Sequence, residues 1–165
     1  MIEFDLHGNI VPYDIVEIDS QLFEKYFISE MKHKDYRNQL FDYYKKYVRE
    51  LSNLLKISFV QWINGSFVTK ELKPKDIDLV SFIDYRAIEK VGHDIKSLIY
   101  PNSKSNFNVD AYIVKVYPSD HKYNFAYETD RLYWLHQFLK TRPNKQGKQY
   151  NKGFIKLECN YEKLQ

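Results

Sequence analysis

The sequence predicts a mixed α/β domain, and three observations carry that prediction. Between Lys34 and Lys56 apolar residues recur at spacings of three and four, which makes one buried helical stripe. The period then shortens, and Ile57–Ile63, Ile77–Ile83 and Phe107–Val116 are runs rich in β-formers. Helical patterns alternate with these runs, so helices should flank a sheet.

Taken in order, the first 18 residues hold turn signals (Gly8-Asn9, Pro12) between short apolar runs and read as an extended arm lying on the fold. Asp19 or Ser20 can cap a short helix through about Met31. The longer helix that follows places Tyr36, Leu40, Tyr44, Tyr47, Val48, Leu51 and Leu55 on one side, with Lys45, Lys46, Arg49 and Glu50 mostly on the other. Its tyrosines keep helical spacing and so belong to the core. Asn64-Gly65-Ser66 ends the first strand, and Phe67–Leu72 reads as a short helix stopped by Pro74. Ile77–Ile83 is almost continuously apolar, as a strand covered on both faces should be. Tyr85–Ile99 reads as a helix with a weak point at Gly92, and Pro101–Ser105 as loop. Phe107–Val116 is a strand closed by Pro118. Asp130–Lys140 should be an amphipathic helix burying Leu132, Leu135, Phe138 and Leu139, and Gly153–Glu158 a last strand at the sheet edge.

At 165 residues and 20.0 kDa the chain fits one domain, and no Pro/Gly/Ser linker or internal repeat divides it. With 44% hydrophobic and 28% charged residues, folding is expected and disorder is not. The lone Cys159 excludes an internal disulfide and reads as a small apolar packing residue. With no leader pattern and no long apolar run, the expected setting is the cytoplasm, away from membranes. A net charge of +3 tolerates an anionic partner without demanding one. The five histidines are scattered without ligand spacing, so no zinc site is assigned.

The stretch that carries chemistry is Gly65-Ser66, nine further residues, then Asp76-Ile77-Asp78. A lone Asp-x-Asp means little, since roughly one such pair is expected by chance in a chain of this composition. Its position gives it meaning. Gly65 closes a strand, where a missing side chain lets a phosphate approach the backbone. Ser66 follows with a hydroxyl and free N–H groups suited to phosphate oxygens. Asp76 and Asp78, two apart at a strand mouth, send both carboxylates to one face, with Cα atoms about 6.6 Å apart. Hard oxygen ligands so placed can share a pair of Mg²⁺ ions, and Asp110 on the later strand is the natural third carboxylate.

These five residues, Gly65, Ser66, Asp76, Asp78 and Asp110, give the chain a resemblance to the nucleotidyltransferase superfamily that includes DNA polymerase beta, and to its minimal single-domain members. The motif region spans Ile57 to Val116. The run Asn-Gly-Ser-Phe-Val-Thr leading into Asp-Ile-Asp, behind an N-terminal arm and a Phe-rich helix, also resembles a poorly characterised bacterial branch of that superfamily. The resemblance implies one nucleotidyltransferase-type domain over 1–165: arm and helices in 1–56, the motif core in 57–116, a helix and edge strand in 117–165. It implies Asp76, Asp78 and Asp110 as catalytic residues and ligands of two Mg²⁺ ions, with Gly65 and Ser66 holding the phosphates of a nucleoside triphosphate. Transfer of a nucleotidyl group to an acceptor hydroxyl would release pyrophosphate. ATP is the default nucleotide, although no residue reads a base edge. The acceptor stays open among an RNA end, a protein and a small molecule. A protein partner and a toxin–antitoxin or phage-defence setting are what the resemblance suggests.

Two other readings remain open. The chain could be a catalytically idle interaction module that keeps the fold, or a nucleic-acid binder using the segment Lys140, Arg142, Lys145, Lys148 and Lys152. That segment reads equally well as a solvated loop. Lys70, Lys73 and Lys75, between the two halves of the motif, read as solvated rather than phosphate-binding.

Overall fold

A computed structural model describes residues 2–163. The arm forms a two-stranded antiparallel hairpin, β1 (Glu3–Phe4) with β2 (Ile10–Val11), and then β3 (Ile15–Glu17). Helix α1 (Ser20–Glu24) begins where the Asp19 side chain accepts the N–H of Leu22, and it widens into a π-type turn over Lys25–Ser29. The long helix α2 (Lys34–Leu55) buries Leu40, Tyr44, Tyr47, Val48, Leu51 and Leu55, as its spacing predicts, and Phe41 besides; Tyr36 is only partly buried and Tyr43 is exposed. Strands β4 (Phe59–Asn64), β5 (Ile77–Asp84), β6 (Val109–Val116) and β7 (Phe154–Cys159) complete a mixed five-stranded sheet in the order β3-β7-β4-β5-β6. Helix α3 (Tyr85–Val91) follows β5, α4 (Asn102–Phe107) precedes β6, and α5 (Asn124–Phe138) follows it. The fold is mixed α/β, as predicted.

Strand β5 is covered on both faces. Ile77, Leu79 and Ile83 join the core beneath α2, while Val80 and Phe82 pack with Trp62, Val114, Phe138 and Phe154 on the α5 side. No helix among the described residues is long and apolar enough to cross a membrane.

Several elements differ from expectation, each for a local reason. The final strand is not the sheet edge: β3, only three residues of the arm, pairs parallel outside β7 and takes that place. The helix expected over Phe67–Leu72 is a single 3-10 turn, Ser66–Val68. The Arg37 side chain takes the carbonyls of Phe67, Thr69 and Glu71, which a helix would have needed as its own acceptors. Gly92, at φ 56 and ψ −120, ends α3, and a 3-10 stretch continues to Leu98. The segment read as loop after Pro101 is helical, and β6 begins two residues later than predicted because Phe107 closes α4 and Asn108 turns left-handed. Helix α5 starts earlier, at Asn124, and leaves Leu132 54% exposed, so the side assigned as buried is only partly so.

Candidate functional site

Sheet register brings the carboxylates together. Asp78 pairs with Asn64 across the antiparallel β4–β5 ladder and with Asp110 across the parallel β5–β6 ladder. Residues paired in this way share a face, so Asn64, Asp78 and Asp110 stand in a row, with Asp76 two positions before Asp78. One ligand oxygen from each of Asp76, Asp78 and Asp110 lies within 4.8 Å of the others. All three side chains are mostly buried, at 22%, 20% and 15% exposure.

Three like charges at this separation need compensation, and cations from two directions supply it. Lys104, on α4, extends its ammonium between Asp76 and Asp110, hydrogen-bonding Asp76 Oδ2 and standing 2.9 Å from Asp110 Oδ1. This second contact compensates the charge of the buried Asp110 Oδ1 as well. The two carboxylates, with burial working against them, hold the Lys104 ammonium above its ordinary pKa. Arg142 reaches Asp78 Oδ1 at 3.4 Å. Asp78 nevertheless has a raised pKa, first because burial strips water from it and then because Asp76 and Asp110 repel its charge; Arg142 and Lys152 oppose both.

The loop beside the carboxylates is built around Gly65. Its φ of 76 and ψ of −167 fall in a region almost reserved for glycine. A Cβ there would overlap Asp78 Oδ2 and come within 2.9 Å of Asp78 Cγ. Gly65→Ala should therefore lower stability by roughly 2–4 kcal/mol and push Asp78 out of line. Chemical denaturation of the variant checks the first effect, and metal titration the second. Beyond it, the Ser66 carbonyl accepts the backbone N–H and Oγ1 of Thr69, which locks the turn. Beneath it, the buried Lys152 donates to the Gly65 carbonyl at 3.1 Å. Burial pulls the Lys152 ammonium down to about 8, with Asp78 pulling the other way. Asn64, also buried, leaves its Oδ1 without a hydrogen-bond partner next to Asp78.

All five motif residues thus fall in one place. Of the basic C-terminal segment, Arg142 and Lys152 join the site, while Lys140, Lys145 and Lys148 are exposed. Lys70 is tied to the arm, its N–H on the Gly8 carbonyl and its ammonium over the Phe4 ring. Sequence reasoning missed Lys104, because its segment reads as loop, and Asn64, which it took as turn. A groove of about 450 Å³ lies farther along the same sheet face, over Val60, Trp62, Phe82 and Val116. Its rim cations Arg131 and Lys156 are already paired with Glu128 and Glu17, and it is not part of the site.

Over residues 2–158 the chain matches a family described as a family of unknown function (DUF6932), and it belongs to that family. No curated protein and no solved structure matches it.

Proposed function

We propose that this member of DUF6932 is a Mg²⁺-dependent nucleotidyltransferase, transferring a nucleotidyl group from a nucleoside triphosphate to an acceptor hydroxyl. The observation that carries the reading is the convergence of Asp76, Asp78 and Asp110 beside a glycine that leaves no room for a side chain. The donor set fits the metal: three carboxylates offer hard oxygens, and the protein already holds a cation between two of them. Mg²⁺ bound there would neutralise the triphosphate and polarise its α-phosphorus.

The chain's own residues supply positioning. Gly65 lets the Asp78 carboxylate lie against the loop backbone, Ser66 offers its hydroxyl to a phosphate, and the buried Lys152 adds positive potential beneath the loop. Arg142, with 90% of its side chain exposed, is free to leave Asp78 and meet the triphosphate. As the acceptor oxygen bonds to the α-phosphorus, the bond to the β-phosphate oxygen breaks and pyrophosphate departs. Asp110 would help activate the acceptor hydroxyl by taking its proton.

One observation favours a second reading. The Lys104 ammonium fills part of the space a metal would use, as it would in an idle interaction module that has replaced its cation with a side chain. Thermal melts separate the two. Millimolar Mg²⁺ with ATP should raise the melting temperature by roughly 5–10 °C at saturation. No shift with Mg²⁺ or Mn²⁺ and any of the four triphosphates would favour the idle module. Labelled triphosphate incubated with the protein and cell extract would then reveal whether RNA, protein or a small molecule accepts the label.

A further inference from the structure

A row of three aromatic rings begins close to the carboxylates. Tyr112 lies two residues beyond Asp110 on β6, so its ring rises from the same face with its Cα about 6.6 Å away. The ring stacks on Tyr100 at 5.5 Å and 27°, and its other neighbour is Trp134 of α5 at 4.7 Å. Tyr100 is fixed in place by its backbone: its N–H donates to the Ala111 carbonyl, one residue from Asp110. At the outer end of the three-ring row, Tyr100 is 45% exposed.

A packed aromatic row ending in an exposed ring, near carboxylates and an exposed arginine, has the parts of a nucleotide cradle. Alternation along β6 sets Tyr112 two residues from Asp110, and Tyr100 lies one ring farther, 5.5 Å between centroids. We propose that Tyr100, backed by Tyr112 and Trp134, is the platform on which the base of the nucleoside triphosphate stacks. Stacking uses the π-face that every base has, so the platform should accept all four bases with modest preference. That is consistent with a sequence in which no residue reads a base edge. The inference rests on the nucleotidyl-transfer reading, since only a triphosphate held at the carboxylates brings its base to Tyr100.

The test compares nucleoside triphosphates with inorganic tripolyphosphate, which has the charge but no base, each with Mg²⁺ in calorimetric titration. Tyr100→Ala should weaken ATP binding about tenfold and leave tripolyphosphate binding unchanged, while Tyr100→Phe should restore ATP binding. Because Tyr100 is half-exposed, both variants should fold, and a thermal melt of each verifies it. Unchanged ATP affinity in a folded Tyr100→Ala protein would overturn the platform and leave nucleotidyl transfer standing. An equal loss for tripolyphosphate would overturn it as well, because the ring would then be acting on the phosphate site. If neither ligand binds the wild-type protein, the nucleotidyl-transfer reading fails and the platform falls with it.

Discussion

Asp76→Asn/Asp78→Asn, made together, should give a folded protein that no longer binds Mg²⁺ and no longer transfers a nucleotide. Losing a partner that merely orients a ligand costs roughly 10–100-fold in metal affinity, so removing two direct ligands should cost more than about 100-fold. Stability should move much less, because the two carboxylates pull in opposite directions. Asp78 is buried and repelled by Asp76 and Asp110, so its folded pKa is raised from 3.8. Raising an acid's folded pKa means that its contribution is intact below 3.8 and is lost as pH climbs through the folded value. At neutral pH without metal, Asp78→Asn alone should therefore stabilise the protein, and urea melts from pH 4 to 7 should show a flatter profile than wild type. Asp76 works the other way, because its carboxylate holds the Lys104 ammonium. Relief of repulsion alone would predict a more stable double variant, and Lys104 is the reason the gain is partly cancelled. Bound Mg²⁺ should reverse the sign for Asp78 in the wild type, since a cation favours the ionised carboxylate. An unchanged metal affinity in the double variant would end the metal-site account.

Legibility of this fold follows the range of the interactions involved. Helix α2 was readable because one buried face imposes its period on the sequence, and β5 because burial on both faces makes it apolar throughout. The motif was readable because Asp76 and Asp78 are neighbours in sequence, and alternation alone puts them on one face. Where β6 would lie was not encoded locally. That Asp110 sits level with Asp78 is a matter of strand register; the sequence offers Asp110 only as a carboxylate on a later strand. Three-residue β3 carries no periodic signal, so the sequence leaves the last strand as the edge. Lys104 was invisible for a similar reason: its six-residue helix follows a proline and has polar residues at most positions, and only the folded chain aims it at Asp76. Arg37 did leave a trace. It sits on the buried stripe of α2, in line with Leu40, Phe41, Tyr44 and Val48, where a charged residue is out of place.

That misplaced charge leads to the largest expected loss of stability, from Arg37→Met. The guanidinium is fully buried and has no carboxylate partner among the described residues; it donates instead to the carbonyls of Phe27, Phe67, Thr69 and Glu71, and it lies over the Phe67 ring. Burial lowers its pKa to about 10, still well above neutrality, so the charge is kept. Four carbonyls from two separate segments converge on the two terminal nitrogens of one planar group, while its buried Nε is left without a partner. Methionine fills most of the volume but donates nothing, and each buried carbonyl left bare costs about 1–3 kcal/mol. Some of the four can turn toward water, so the net loss should be about 3–5 kcal/mol. Arg37→Lys should fall between the two, because an ammonium keeps the charge but reaches fewer carbonyls at once. The effect should extend to the site. The carbonyls of Phe67, Thr69 and Glu71 belong to the strap that leaves Gly65 and Ser66 and returns to Asp76, and Arg37 is what pins it to α2. Where Arg37→Met remains folded at low temperature, Mg²⁺ and triphosphate affinity should drop although no ligand has been touched. Guanidinium melts and metal titration on the same two variants check both halves. A stable Arg37→Met protein would mean that the strap is held by something other than this side chain.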